Sequence, residues 1–293
     1  MIRVLPGVAC RLGEGLLWDP SVDRLWMTDI VAQQILEIDL DHGDRRVCAM
    51  PEPSAWVLPT TSPGRYAVGL RSGIALLDIR RPKELTWIER SVPGDPRCRL
   101  NDACVDRAGR IWYGSMPSDT DSGAPGRLAS FARDRGTTIH DSGFGVTNGP
   151  LIAADDRHLY ANDSLRGIVY RYAFSLAAGS ASQREVFKHF DAADGHPDGM
   201  CFDINGNLWL AMWGAARVLQ ISPDGTIVRS IELPAPNLTN VCFCGPRLDR
   251  LIVSSASVDM SAESRARYPD AGRLFEVLDH GTHGLAPWRI AID

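Results

Sequence analysis

The chain has 293 residues, 44% of them apolar and 23% charged, with a formal net charge of −5, a composition that excludes a disordered polymer. No apolar run approaches the roughly 18–20 residues of a membrane helix. Its 31 basic residues are outnumbered by 36 acidic ones and do not cluster, so no footprint for nucleic acid or an anionic membrane is present. Met1 to Pro6 shows neither an apolar core nor a small-residue cleavage site, which makes the cytoplasm the expected location. Seven cysteines without a C-x-x-C pair or zinc spacing read as reduced core thiols.

The predicted elements are short strands that come in pairs. In chain order the paired apolar runs are 16–18 with 25–27, 55–58 with 66–68, 103–105 with 111–113, 151–152 with 159–160, 200–202 with 208–210, and 241–243 with 251–253. Between the partners lie Asp19-Pro20, Ser62-Pro63-Gly64, Asp106 to Gly109, Asp155-Asp156, Asp203 to Gly206, and Pro246 to Asp249. This is turn chemistry: Pro presets φ, Gly supplies positive φ, and Asp bonds back to the backbone. Third runs follow at 35–38, 74–77, 169–172, 218–221 and 274–277, and weaker fourth runs at 86–88, 185–187 and 227–229. Only 261–268 hints at a helical turn. With Leu25, Tyr66, Ile111, Leu159, Leu208 and Leu251 as register marks, the repeat intervals are 41, 45, 48, 49 and 43 residues. Four strands in each of six such units predict an all-β fold, a six-bladed β-propeller with four-stranded blades around a central channel, as one domain over residues 1–293. The run 2–5 is available to complete the last blade.

The first strand of each blade lines the channel in such a fold. Ten or eleven positions before each mark stand Glu14, Ala55 or Trp56, Asn101, Asn148, Asp198 and Asn240, so five of six blades offer a carboxylate or carboxamide there. Such residues also make turns, but turns alone do not require one shared address. A ring of hard oxygen donors with two formal charges suits a divalent cation such as Ca²⁺, Mg²⁺ or Mn²⁺. Asn240 is the member expected to be structural.

The runs Gly13-Glu14-Gly15-Leu16-Leu17-Trp18-Asp19-Pro20, Arg99-Leu100-Asn101-Asp102, Asn148-Gly149-Pro150 and Pro197-Asp198-Gly199-Met200 resemble the senescence marker protein (regucalcin), gluconolactonase and luciferin-regenerating enzyme family. The stretches 231–243 and 261–275 fit the same family, whose bacterial sugar lactonases, of the xylonolactonase and arabinonolactonase type, look nearest. The resemblance implies a metal-dependent lactone hydrolase on a six-bladed propeller. Carried over motif by motif, Glu14, Asn148 and Asp198 would ligate one divalent ion (Ca, Zn, Mg, Mn or Fe). Asp198 would double as general base, and Arg99 and Asn101 would bind substrate. Asn240 has no ligand counterpart in the family pattern.

Opening an aldonolactone needs a polarised carbonyl, an activated water and a held oxyanion, which a cation with a neighbouring carboxylate, amide and guanidinium can supply. No G-x-S-x-G, G-x-x-x-x-G-K-[ST] or H-E-x-x-H stands in the chain, so serine, phosphate and zinc-protease chemistries lack their motifs. The rivals are a phosphotriesterase- or aryl-esterase-like hydrolase, and a calcium-binding propeller without catalysis. His196 reads as a turn residue near the site. Trp213 and Asp163 follow second strands on the same face, and the polar loops 117–126 and 257–272 read equally as lids or as surface insertions. The expected partner is a small sugar lactone, and the expected state a monomer.

Overall fold

The computed structural model describes residues 1–90, 94–119 and 122–291. Thr120 and Asp121 of the expected 117–126 lid lie outside the described residues. The fold is all-β and propeller-like, a succession of antiparallel meanders. After β1 (Ile2–Val4) the first sheet comprises β2 (Gly13–Asp19), β3 (Arg24–Asp29), β4 (Gln34–Ile38) and β5 (Arg45–Ala49). The second comprises β6 (Ser54–Pro59), β7 (Arg65–Leu70), β8 (Gly73–Asp78) and β9 (Leu85–Glu89). The third has β10 (Cys98–Val105), β11 (Ile111–Pro117), β12 (Gly126–Ala132) and β13 (Gly136–Phe144). The fourth has β14 (Thr147–Ile152), β15 (His158–Asp163), β16 (Ile168–Ser175) and β17 (Ser180–His189).

The remaining strands form one eight-stranded sheet instead of the two four-stranded sheets expected. Its strands are β18 (His196–Phe202), β19 (Leu208–Trp213), β20 (Arg217–Ile221), β21 (Ile227–Glu232), β22 (Asn237–Cys244), β23 (Arg250–Ala256), β24 (Phe275–Val277) and β1. Its two halves meet through a single pairing, Trp213 opposite Asn237. The N-terminal run does add to β24, with Ile2 opposite Val277 and Val4 opposite Phe275. The helical turn is α1 (Ala262–Arg267), capped by the Ser261 hydroxyl, which accepts from the Ser264 N–H.

The described chain divides into two compact units, Met1–Cys48 with Phe190–Ala286, and Ala49–His189 with the segment from Pro287 onward. Each has its own apolar core. In the first unit Trp209, Leu238, Val241, Leu251 and Phe275 pack together. In the second, Trp56, Ile74, Leu100, Ile111 and Tyr113 do so, joined by Ile290 near the C-terminus. The seven cysteines are free thiols, and Cys10, Cys48, Cys98 and Cys244 are buried. No described helix is long and apolar enough to cross a membrane.

Two of the hairpin turns share one device. Asp106 Oδ1 accepts from the backbone N–H of Ala108 and Arg110, while its Oδ2 accepts from the Trp112 indole at 2.9 Å. Asp203 Oδ1 accepts from Asn205 and Asn207, and its Oδ2 from the Trp209 indole at 3.1 Å. A carboxylate six residues before a buried tryptophan thus shapes the turn and satisfies the indole at once.

The inner strands carry a second shared device. The β2–β3 register shifts between Glu14 and Leu17, the β10–β11 register between Leu100 and Ala103, and the β14–β15 register between Asn148 and Leu151. Equivalent shifts fall between Pro197 and Met200, between Leu238 and Asn240, and between Ser54 and Trp56. Each is a bulge, which bends a strand and re-aims its side chains.

Candidate active site

The pairing fixes which residues share the bulge address. Trp18, Pro59, Val105, Ile152, Phe202 and Phe243 lie opposite the six register marks. Four residues before each stand Glu14, Ala55, Asn101, Asn148, Asp198 and Thr239. Asn240, counted into this set from the sequence, is one residue off it. The last hairpin turn is longer than the others, so the same count back across it stops one residue short. The Thr239 hydroxyl donates to the Gly13 carbonyl and is 2.7 Å from the Ser254 hydroxyl at the same time. Asn240 Oδ1 accepts from the Val241 N–H at 2.8 Å, a local contact that closes the bulge.

In the first unit, β22 packs against both β2 and β18. Glu14 on β2 and Asp198 on β18 are buried, at 9% and 5% exposure. Asp29, at the end of β3, holds the approach to Glu14: its Oδ2 accepts from Arg11 N–H and its Oδ1 from Leu12 N–H. Gly15 and its counterpart Gly149 in the second unit follow Glu14 and Asn148 with φ of 57° and 48°, left-handed values that cost a glycine little. Gly199 has a different reason. A Cβ there would lie 2.5 Å from Asn240 Cγ and 2.7 Å from the Thr239 carbonyl oxygen, so only glycine lets β18 and β22 approach as they do.

In the second unit, β10 packs against β14, and their polar side chains form one hydrogen-bonded run. Arg99 Nη1 donates to Asn101 Oδ1 at 2.7 Å. Asn101 Nδ2 donates to Asn148 Oδ1 at 2.6 Å and to the Thr147 carbonyl at 3.0 Å. Asn148 Nδ2 donates to Ser164 Oγ at 3.0 Å. Asp102, the residue after Asn101, is buried. Its Oδ1 accepts from Ala103 N–H at 2.8 Å and its Oδ2 from Gly149 N–H at 3.1 Å, which ties the Asn148 turn to β10. Burial pushes the Asp102 carboxyl up to about 6, against the pull of those two donors.

Residue type and spacing point to Asn101 and Asn148, and the family resemblance to Arg99; the structure brings the three together, while neither signal marks Asp102 and Ser164, which hold the Asn148 turn and side chain. Asp163 plays a structural part. Fully buried, it accepts from the Gly145 N–H at 3.2 Å and from Arg166 Nη1 at 2.6 Å, the same post that Asp29 fills on β3. His196 and Trp213 are half-buried partners across the β18–β19 hairpin. Of the loop 257–272, residues Ala262–Arg267 are helix, and Ser257 and Arg265 tie it down, the first through its hydroxyl to the Cys10 carbonyl, the second through its guanidinium to the Ser257 carbonyl.

Comparison with known proteins identifies the family. The chain is 34% identical over 261 residues to Pentonolactonase XacC of Haloferax volcanii, covering 86% of this chain and 84% of that one. Among solved structures, a luciferin-regenerating enzyme superposes with a TM-score of 0.93 at 26% identity, covering 100% of this chain and 99% of that one. A calcium-binding protein described as regucalcin from Agrobacterium tumefaciens superposes with a TM-score of 0.91 at 25% identity, covering 100% and 97%. Residues 12–257 match the SMP-30/Gluconolactonase/LRE-like region. The chain belongs to the SMP-30/gluconolactonase/LRE-like family.

Proposed function

We propose that this protein is a sugar lactonase, a carboxylic ester hydrolase that opens the ring of an aldonolactone to the aldonic acid in carbohydrate breakdown, with a divalent cation as cofactor. The observation that carries the reading is the bulge address: in a member of this family, with a pentonolactonase relative, it holds two buried carboxylates and two buried carboxamides, Glu14, Asp198, Asn101 and Asn148.

The reading treats the eight-stranded sheet as two four-stranded blades, which makes six blades in a single domain over residues 1–293. The family resemblance makes Glu14, Asn148 and Asp198 the side chains that would ligate the ion. The donor set suits such an ion. Its ligating atoms are hard oxygens, and two carboxylates buried this deeply are stabilised by a counter-charge. Among the described residues no three His, Cys, Asp or Glu side chains converge; the set that the resemblance implies has two carboxylates and the Asn148 carboxamide. When bound, the ion would polarise the lactone carbonyl and acidify water.

Asp198 would take the proton of the attacking water. The carbonyl carbon would gain the water oxygen, the ring C–O bond would break, and the leaving alkoxide would recover from Asp198 the proton taken from the water. Arg99 and Asn101 would hold the oxyanion and the sugar hydroxyls, since a guanidinium and an amide donate in fixed directions. We further take the chain to act as a cytoplasmic monomer on a free small molecule, with neither nucleic acid nor membrane as partner. Seven free thiols fit a reducing compartment.

The test is pH-stat hydrolysis of xylono-, arabinono-, galactono- and gluconolactone before and after metal stripping. Turnover of at least one, lost with chelator and restored by Ca²⁺, Mg²⁺, Mn²⁺ or Zn²⁺, is expected. Full turnover in excess chelator overturns the metal-dependent reading. Asp198→Asn is expected to retain the fold and lose turnover, and near-normal turnover removes Asp198 as base. The calcium-binding description of the Agrobacterium structure favours one alternative, cation binding without catalysis, which inactivity on all four lactones with intact cation binding would support.

A further inference from the structure

Four side chains of the second unit hydrogen-bond in one direction only, and the direction follows from chemistry at both ends of Asn101. A guanidinium has donors and no acceptor, so Arg99 Nη1 at 2.7 Å requires the oxygen of Asn101 to face it. A backbone carbonyl only accepts, so the Thr147 oxygen at 3.0 Å requires the Asn101 amino group on the other side. That amino group also meets Asn148 at 2.6 Å, and two amino groups cannot face each other. Asn148 therefore turns its Oδ1 toward Asn101 and its Nδ2 toward Ser164, whose Oγ accepts at 3.0 Å. Asn101, Asn148 and Ser164 are each at least nine-tenths buried and Thr147 is fully so, which removes water as a substitute partner.

We infer that Ser164 is a positioning residue for the cation site: its hydroxyl holds the Asn148 carboxamide with the oxygen, and not the nitrogen, presented as the ligand. The inference rests on the reading of Asn148 as a metal ligand. Without the Ser164 acceptor the buried Asn148 amino group has no counterpart, and the side chain leaves this rotamer to find one. The cation then has to recruit its ligand from a disordered set. Residues that orient a ligand in this way typically alter metal affinity by 10–100-fold, and here Asn101 still holds the other end, which places the effect at the lower limit.

The test is calorimetric titration of Ca²⁺ and Mn²⁺ into stripped protein, with no substrate present, for wild type, Ser164→Ala, Ser164→Thr and Ser164→Cys. Ser164→Ala is expected to bind about tenfold more weakly. Ser164→Thr, which keeps the hydroxyl, is expected to lie within about threefold of wild type. Ser164→Cys, with a weak acceptor, falls between them and serves should the threonine variant not fold. Wild-type binding with an unchanged Kd in Ser164→Ala overturns the inference and leaves the lactonase reading standing. So does an equal loss in Ser164→Ala and Ser164→Thr, which is the mark of a packing role. Failure of the wild type itself to bind either cation overturns the metal-site reading and this inference with it.

Discussion

Gly199→Ala tests whether the close approach of β18 and β22 sets the position of Asp198. The added Cβ would sit 2.5 Å from Asn240 Cγ and Nδ2 and 2.7 Å from the Thr239 carbonyl oxygen. Ordinary carbon contacts begin near 3.5 Å, so the overlap is about 1 Å on a side chain and somewhat less on a backbone atom. Asn240 is held by the bond from Val241 N–H, and Thr239 is anchored through its hydroxyl to Gly13 and Ser254. The strain therefore moves the β18 bulge, whose adjacent residue is Asp198. Overpacking of this kind costs about 1–3 kcal/mol of stability, and a displacement of about 1 Å in a catalytic group costs on the order of 100-fold in turnover. Urea denaturation and kcat/KM on the preferred lactone read the two effects separately. Adding Asn240→Ala removes the side-chain clash but not the carbonyl clash, so the double variant is expected to recover part of the stability and little of the turnover. Full turnover in Gly199→Ala would refute the claim that this contact positions Asp198.

Other substitutions probe the supports of the site and the fold. Asp163→Ala releases the Gly145 N–H and the Arg166 guanidinium, so kcat/KM should drop about tenfold while the fold persists; an unchanged rate would make Asp163 a bystander. Asp203→Ala strands the buried Trp209 indole and Gln220 amide, for an expected loss of about 3–4 kcal/mol by urea denaturation. Burial raises the Asp203 carboxyl, but its hydrogen bonds from Asn207, Trp209 and Gln220 outweigh that and hold it below the usual carboxylate range. Its contribution is thus present above that range and lost as pH falls through it, so the gap between wild type and variant should narrow in acid. His140, stacked on Trp112 with ring centroids 4.4 Å apart, is pushed down to about 4 by burial, with the nearby Arg110 charge adding to it. The unfolded chain takes up a proton near pH 6.5 and the folded one near 4, so stability is full above 6.5 and falls between the two; His140→Phe should flatten that slope in thermal melts.

Much of the architecture is legible because turns and inner strands carry their own chemistry. Asp106 and Asp203 announce their hairpins through the glycine three residues on, and the structure adds a reason invisible in composition, the indole six residues later. The outer strands hide. Arg45–Ala49 and Gly136–Phe144 are largely solvated, so neither needs an apolar run, and β12 escapes the sequence pattern along with its neighbour β13. At the site, residue type points to the donors but spacing misplaces one of them. Asn240 is counted across a turn of variable length, whereas strand pairing puts Thr239 at the address. Ser164 and Asp102 escape because nothing in a serine or an aspartate says which amide it will meet 16 or 47 residues away. Asp29 and Asp163 are within reach: both stand four residues after their register marks.

The register breaks separate two inheritances of the chain. Along most of a strand, a substitution disturbs the ladder, the core and the neighbouring sheet together. At the bulges the ladder skips the address residue in four hairpins, at Ala55, Asn101, Asp198 and Thr239, and breaks immediately after it in the other two, at Glu14 and Asn148, so that six such positions accept Glu, Ala, Asn, Asn, Asp and Thr in one molecule. Residue type at the address can therefore be exchanged one strand at a time, while the hairpin turns and the buried tryptophans that Asp106 and Asp203 satisfy stay as they are.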